Sequence, residues 1–372
     1  MVYLVSLIRP RQVKRGEIEP KVTILITAYN EEKDIRAKLE NTLKIEYPAE
    51  KVDILVASDG SNDRTDEIVK EFAEQGIKLF RQEGRVGKTV TQNNAVEQCS
   101  GEIILFSDAT TMYPTNVLRE ILPSFADKTV GCVAGKLIYV DKNDTTIGQG
   151  AKSYWNYETF LKEAESRACS LIGASGCLYA VRQNAYQPMY AEACSDFLIA
   201  TILYEQGLRT IYEPNAICIE ETNSKSDKEM KMRVRVISQT FTDLWRNRKM
   251  MNPFRSGFYA VELFSHKLLR YAVPLFLILI FVSNAFLAVD SLSFQLIFLL
   301  QVGFYAMALM TWFVERKGVR LGVLAIPLYF TLANLASLIG FYKFLSGENM
   351  AAWEPIRESN NVSNNHLQKP AR

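Results

Sequence analysis

Residues 22–31 of the chain are Val22-Thr23-Ile24-Leu25-Ile26-Thr27-Ala28-Tyr29-Asn30-Glu31. The run 22–27 is short, mostly apolar and rich in β-branched side chains, which is typical of a parallel strand buried on both faces. Similar runs occupy 52–58, 77–80 and 103–107, and helical patterns lie between them at 32–43, 65–74 and 86–98. This alternation predicts βαβ units and an α/β fold with a Rossmann-like, mostly parallel twisted sheet.

Polar residues follow three of these predicted strands at the point where each strand ends. Glu31, Asp59 and Asp108 each lie in such a segment. Ligands of open α/β sheets bind beyond the carboxyl ends of the strands, so these three carboxylates indicate one site. A carboxylate there accepts hydrogen bonds from a ribose or a base, and another holds a divalent cation that bridges two phosphates. Lys88 begins the predicted helix after a glycine-rich turn and is placed to contact phosphate.

Two nucleotide-binding motifs are excluded. Gly87-Lys88-Thr89 resembles the end of a P-loop, but the glycine that this motif requires five residues earlier is Gln82. No Gly-x-Gly-x-x-Gly run follows the first strand, which disfavours a dinucleotide oxidoreductase. The six cysteines form no CxxC pair and only two histidines are present, so we expect reduced core thiols in a cytosolic domain and no zinc site.

The C-terminal third contains three long apolar runs, at 271–289, 292–314 and 321–342. Each approaches or exceeds the roughly 20 residues that cross a bilayer, so we predict a membrane region over 271–345. Basic residues flank the start of the first run and separate the second from the third, which places the catalytic domain in the cytoplasm and Asp290-Ser291 on the far side of the plasma membrane. Pro327 and Asn334 interrupt the third run. It either crosses, which puts the polar tail 346–372 outside, or is re-entrant or interfacial.

A basic segment precedes these apolar runs. Residues 225–270 contain eleven Lys or Arg against four Asp or Glu, with apolar side chains at helical spacing. This pattern predicts interface helices on anionic lipid headgroups. Nucleic-acid binding is the competing reading, and the adjacent apolar runs disfavour it. The predicted domains are thus an N-terminal segment 1–19, which has an interfacial or a packing role, and a catalytic domain 20–224, followed by the parts named above.

With these features placed, the chain resembles family 2 glycosyltransferases of the GT-A fold. The resemblance covers roughly residues 20–274, and its motifs occur in the expected order. They are Thr27-Ala28-Tyr29-Asn30-Glu31, Ser58-Asp59-Gly60-Ser61-Asn62-Asp63, Gly84-Arg85-Val86-Gly87-Lys88, Phe106-Ser107-Asp108-Ala109-Thr110-Thr111, and the segments 173–182, 195–197 and 207–216.

The resemblance implies a role for each matched residue. Asp59 binds the nucleoside of the donor, and Asp108 lies near the diphosphate and a Mg²⁺ or Mn²⁺ ion. Asp196 is the general base of inverting members, which removes the proton of the acceptor hydroxyl. The remaining donor-binding residues implied are Thr27, Ala28, Tyr29, Glu31 and Lys88, together with Arg233 and Arg235, which match the arginines that clamp the diphosphate.

Four positions depart from the family pattern. Thr110 stands for the second aspartate of the DxD motif, and Ser195 stands where relatives often have an acid. In the QxxRW segment, Met232 and Val236 replace the glutamine and the tryptophan. In processive relatives that tryptophan helps to hold the polymer, so its absence disfavours a long-chain synthase.

Three functions remain open. The first is a membrane-anchored, inverting bacterial-type glycosyltransferase that moves one sugar from a nucleotide sugar, with UDP favoured, to a lipid-linked or growing glycan acceptor. The second is a processive synthase that works as a homo-oligomer or with a membrane partner. The third is an inactive scaffold. Membrane lipids are expected partners in each case, and nucleic acid is not.

Overall fold

The computed structural model describes residues 1–140, 158–221, 226–315, 317 and 326–348. The described chain forms two compact units, one from residues 1–138 and 159–220 and the other from 139–140, 158 and the described residues from 221 onward. The predicted spans and tail therefore lie partly outside the described residues, at 316, 318–325 and 349–372.

The first unit is built on a seven-stranded sheet with the order β3-β2-β1-β4-β6-β5-β7. Strands β1 to β4 are parallel to one another, whereas β6 runs antiparallel to β4 and to β5. The strands are β1 Val22–Ala28, β2 Val52–Ser58, β3 Ile77–Arg81, β4 Ile103–Asp108, β5 Val130–Val140, β6 Leu178–Arg182 and β7 Arg209–Glu221. The expected α/β fold with a largely parallel sheet is confirmed.

The helices of this unit are α1 Val2–Ile8, α2 Ile35–Thr42, α3 Thr65–Glu71, α4 Lys88–Val96, α5 Val117–Ile121, α6 at 158–168 and α7 Ser195–Glu205. Three of them are shorter than the sequence pattern predicts. Gly87 has φ +95°, outside the helical region, so α4 begins at Lys88 and not at 86. Gly76 has φ +86° and closes the turn after α3, as expected of a glycine that ends a helix.

The core explains why the parallel strands are so apolar. Ile24, Leu25 and Ile26 are fully buried, and Ile104 and Leu105 beside them are equally covered. The sheet therefore has helices or chain on both faces, as central parallel strands require. At the opposite edge from the polar strand ends, a Cβ on Gly101 would lie 2.3 Å from the backbone nitrogen of Thr23, so only glycine fits there.

The second unit is helical. Its long helices are α8 Ser226–Arg246, α11 Arg270–Leu287, α12 Leu292–Glu315 and α13 Ile326–Leu345, and the short helices α9 Pro253–Ser256 and α10 Phe258–Leu263 precede α11. A π-helical turn joins α10 to α11, so that one continuous helix covers Phe258–Leu287. Within the described residues, three helices are long and apolar enough to cross a membrane: Phe258–Leu287, α12 and α13.

Candidate active site

The sheet register places the predicted donor-binding residues of β1 and its neighbours side by side. Thr27 lies opposite Ala57 on one side and Asp108 on the other, and Ala28 lies opposite Ser58. The Gln92 side chain of α4 donates to the Thr27 hydroxyl at 3.2 Å. The carboxyl ends of β1, β2 and β4 therefore form one polar edge, as the sequence predicts.

Asp59 anchors the glycine-rich turn at 84–88. Its carboxylate accepts hydrogen bonds from the backbone nitrogens of Val86 and Gly87, at 2.9 to 3.1 Å, and from the Thr91 hydroxyl at 2.9 Å. Asp59 is 1% exposed, so these contacts take the place of water. The carboxylate thus fixes the turn that presents Lys88, a contact set that the sequence did not predict.

The turn at Gly60 approaches the same segment. Gly60 has φ +67°, and a Cβ there would lie 2.4 Å from the carbonyl oxygen of Gly84. Both the backbone conformation and the space therefore require glycine. The close approach brings the end of β2 against the segment that carries Lys88.

Lys88 and Asp108 form an ion pair at 2.5 Å, between Nζ and Oδ1. Both side chains are about a quarter exposed. The pair sits where the sequence predicts a metal and a diphosphate. A cation beside Asp108 offsets the charge of its carboxylate, and a lysine in this position is placed to meet phosphate oxygens.

Lys38 is a residue of the site that sequence reasoning missed. It lies on α2, is fully buried, and donates from Nζ to the Ser107 hydroxyl at 2.7 Å and to the Thr111 carbonyl at 2.5 Å. The ammonium also lies 3.8 Å from the centre of the Tyr113 ring. Burial lowers the pKa of Lys38 to about 7, and the charge of Asp108 opposes that shift. Lys38 therefore ties together the two ends of the segment that carries Asp108.

Asp196 lies in the first turn of α7. The Cys194 thiol donates to its Oδ1 at 3.0 Å, and its backbone carbonyl accepts from Ala174 at 2.7 Å. Its other carboxylate oxygen lies beside Gly176, where a Cβ would come within 3.0 Å. The segment 173–178 thus binds the main chain of Asp196 and lies close to its carboxylate, whereas the side-chain bond comes from Cys194.

The same segment connects Asp196 to the end of β4. Leu178 pairs with Ser107 in the sheet, and the Ser107 hydroxyl donates to the Cys177 carbonyl at 3.3 Å. Ser107 is adjacent to Asp108. The structure therefore brings Asp108 and Asp196, which are 88 positions apart in sequence, into one neighbourhood through two short links.

Thr110, which replaces the second aspartate of the DxD pattern, has an acidic partner. Its hydroxyl donates to Glu220 Oε1 at 3.3 Å, and Glu220 on β7 is 4% exposed. The isolated bridge between Met112 and Ile219 aligns the two segments. An acid therefore lies next to position 110 even though the sequence has threonine there, and only the pairing with β7 reveals it.

Tyr29 and Glu31 extend the same edge. The Arg85 guanidinium lies over the Tyr29 ring, 4.3 Å from its centre, so that the glycine-rich turn also contacts the loop after β1. Glu31 is 5% exposed, and its backbone nitrogen donates to the Thr65 hydroxyl at 2.8 Å. Both residues thus lie at this edge of the sheet, and their role in donor binding stays a prediction.

Arg233 and Arg235 belong to the second unit. They lie on α8, where Arg233 hydrogen-bonds the Tyr329 hydroxyl and lies 5.0 Å from the centre of that ring. This partner on α13 was not predicted. Their role as a diphosphate clamp stays a prediction.

The side chains near Asp108 suit a divalent cation that is bound mainly by the phosphates of the substrate. Among the described residues, no group of three or more His, Cys, Asp or Glu side chains could hold a metal ion. Mg²⁺ and Mn²⁺ in nucleotide sites commonly take one or two carboxylates and complete their shell with phosphate oxygens and water. Asp108, partly exposed at the strand end, fits that pattern.

Comparison with known proteins finds similarity to glycosyltransferases. The model of the glycosyl transferase family 2 domain matches residues 23–189. The probable glycosyltransferase YdaM of Bacillus subtilis (strain 168) is 33% identical over 134 residues, which are 34% of this chain and 32% of that protein. The poly-beta-1,6-N-acetyl-D-glucosamine synthase of Staphylococcus aureus (strain COL) is 26% identical over 220 residues, 57% of this chain and 52% of that protein. The chain thus spans about half the length of one relative and a third of the other.

A solved structure covers nearly the whole chain. The mannosyltransferase PcManGT from Pyrobaculum calidifontis, in complex with GDP-Man and Mn²⁺, has a TM-score of 0.71 and 22% sequence identity, with 93% of both chains covered. At that identity the likeness shows the fold, which is the GT-A fold expected from the sequence. The similarity to the glycosyl transferase family 2 domain thus lies in residues 23–189, a little under half of the chain, and the likeness to PcManGT is one of fold.

Proposed function

We propose that the chain transfers a sugar from a nucleotide sugar to a lipid-linked or growing glycan acceptor, with inversion at the anomeric carbon. The observation that carries this proposal is the linkage of Asp59, Asp108 and Asp196 around one polar edge of the sheet. In this arrangement Asp59 and the turn 84–88 receive the donor. Asp196 accepts the proton of the acceptor hydroxyl as the hydroxyl oxygen bonds to the anomeric carbon and the nucleoside diphosphate leaves.

Asp108 is the residue that would hold Mg²⁺ or Mn²⁺. When bound, such an ion neutralises the charge that develops on the leaving diphosphate. Lys88 then has the phosphate oxygens as alternative partners to Asp108. The PcManGT structure contains Mn²⁺ together with GDP-Man, which supports a divalent cation here. It also makes a GDP-sugar a candidate beside the UDP-sugar that the sequence favours.

We further propose that the enzyme works at a membrane. Residues 20–224 form the catalytic domain on the cytoplasmic face, 225–270 the lipid interface and 271–345 the membrane region, and the three long apolar helices support this scheme. The similarity to a poly-beta-1,6-N-acetyl-D-glucosamine synthase keeps a processive activity, in an oligomer or with a membrane partner, as the second candidate.

Calorimetric titration of the purified protein in lipid nanodiscs tests the donor site. We expect a UDP- or GDP-sugar to bind in the presence of Mn²⁺ and to bind more weakly in EDTA. Lys88→Met should weaken binding about tenfold to a hundredfold, since hydrogen bonds to charged groups contribute about 1.5–3 kcal/mol. Lys70→Met, at an exposed position on α3, is the matched control and should bind as wild type does. Absence of nucleotide binding under every condition would instead favour the inactive scaffold.

A further inference from the structure

The helices α11 and α12 form a hairpin. Positions along it give a measure of distance from the turn that connects the two helices. The Asn284 side chain donates to Gln301 at 2.8 Å, and the rings of Phe281 and Phe298 are 5.2 Å apart. Only residues 288–291 join the two helices. At 1.5 Å per residue the helices are about 27 and 36 Å long, so the hairpin is long enough to cross the hydrocarbon core.

The helix α13 approaches this hairpin directly near its beginning and through α8 near its end. Near its beginning, the Phe330 ring lies 5.7 Å from Phe304 of α12. Near its end, Phe344 lies 5.8 Å from Phe241, which in turn lies 5.6 Å from Tyr271 at the start of α11. Measured along the helices, Phe304 is about 20 Å from the connecting turn and Tyr271 about 28 Å.

These depths do not fit a crossing helix. Phe330 and Phe344 are separated by about 21 Å of helix, yet Phe304, which Phe330 contacts, and Tyr271, which Phe344 approaches through Phe241, differ in depth by less than about 10 Å. A helix that crossed beside the hairpin would have one end near Asp290 and the other near Arg270. Instead, the contacts of α13 fall toward the end of the hairpin that is far from the connecting turn.

The helix α8 runs beside α13 in the same direction. Arg233 contacts Tyr329 early in both helices, and Phe241 contacts Phe344 late in both. Between them Gly340 fits against Ile237, where a Cβ would come within 2.8 Å of the isoleucine side chain, so the two helices touch closely.

The charged side chains of α8 indicate how deep the helices α8 and α13 lie in the membrane. Lys231, Arg233 and Arg235 lie on this helix, and several unit charges are strongly disfavoured in hydrocarbon. Where α8 ends, Trp245 is 61% exposed with the Arg248 guanidinium 5.3 Å from its ring, and Phe254 is fully exposed. Exposed aromatic rings among basic side chains are typical of the membrane interface.

We propose that α8 and α13 together form a lipid-interface platform on the cytoplasmic leaflet, and that α11 and α12 are the crossing helices of this unit. This inference rests on the proposed membrane anchoring. It assigns the residue that follows α13 to the same side of the membrane as the catalytic unit. Of the three arrangements that the sequence left open for the third apolar run, crossing, re-entrant and interfacial, the geometry thus favours the interfacial one.

Three serine positions provide a matched test by cysteine labelling. Ser100 lies on the catalytic unit, Ser291 between α11 and α12, and Ser346 directly after α13. The six native cysteines are buried, so wild type gives the background. Each serine is replaced singly by cysteine, and spheroplasts that express the full chain are treated with a membrane-impermeant maleimide, before and after permeabilisation. Labelling in SDS measures the total reactive cysteine.

The expected pattern separates Ser291→Cys from the other two variants. Ser291→Cys should react in intact spheroplasts, whereas Ser100→Cys and Ser346→Cys should react only after permeabilisation. Reaction of Ser346→Cys in intact spheroplasts would show that α13 crosses, and failure to label it in either state would place the end of α13 in the hydrocarbon; both results overturn the platform. Protection of Ser291→Cys in intact spheroplasts would show that the hairpin does not cross, which overturns the membrane scheme as well.

Discussion

Asp196→Asn is expected to lower kcat by about 10²–10⁴-fold, which is the usual contribution of a positioned general base. Asparagine has the same shape but cannot accept the proton of the acceptor hydroxyl. The donor KM should change little, because Asp196 is proposed to act on the acceptor. The main-chain bond from Ala174 and the space beside Gly176 are kept in this variant, so its fold should be unaffected.

Cys194→Ala is the matched control for this experiment. It removes the thiol that donates to Asp196 Oδ1 and leaves the carboxylate in place. Its kcat should therefore fall far less, by no more than about tenfold, the equivalent of one hydrogen bond. If Asp196→Asn has the same kcat as wild type, Asp196 is not the general base, and another acid of the site must accept the proton.

Lys38→Met is expected to reduce activity because it loosens the segment that positions Asp108. Methionine fills a similar volume but loses the bonds to Ser107 and Thr111. Two buried hydrogen bonds contribute about 2–3 kcal/mol, so we expect the KM for the divalent cation to rise and kcat to fall, by a combined factor of about a hundred. Lys44→Met, just after the same helix and exposed, should behave as wild type. Wild-type metal dependence in Lys38→Met would exclude the positioning role.

The same variant should change how stability depends on pH. Burial lowers the pKa of Lys38 from 10.5 to about 7, and the charge of Asp108 opposes that shift. Between pH 7 and 10.5 the unfolded chain therefore holds a proton that the native chain lacks, so this lysine makes the free energy of unfolding rise with pH, on the order of 1 kcal/mol per pH unit. Lys38→Met lacks this contribution, so its stability relative to wild type should decline as pH rises across that window. A constant difference in denaturant unfolding experiments would contradict the burial of a titrating amine.

The strands and polar strand ends were predictable because their information is local. The β-branched run 22–27 must be buried on both faces, and it is. The acids at positions 59 and 108 follow directly from where such strands end. The same local reasoning predicted α12. The expected run 292–314 and the observed helix Leu292–Glu315 differ by one residue, because a long uncharged apolar run strongly favours a helix.

The residues that support the site could not be predicted in this way. Lys38 resembles a surface lysine in a charged helix, and only the approach of α2 to the end of β4 buries it. Glu220 reaches Thr110 across 110 positions through the pairing with β7. The strands β5 to β7 and the depth of α13 likewise depend on long-range contacts, for which periodicity carries no signal.

Release of nucleoside diphosphate by the purified protein in lipid tests the central claim most directly. The assay uses a panel of UDP- and GDP-sugars with membrane lipid extract as the acceptor, with Mn²⁺ or with EDTA. We predict turnover of one donor in Mn²⁺ that is lost in EDTA. Equal turnover in EDTA would contradict the metal role of Asp108. If a donor binds in calorimetry but releases no nucleoside diphosphate, the claim that this site transfers sugar would be contradicted.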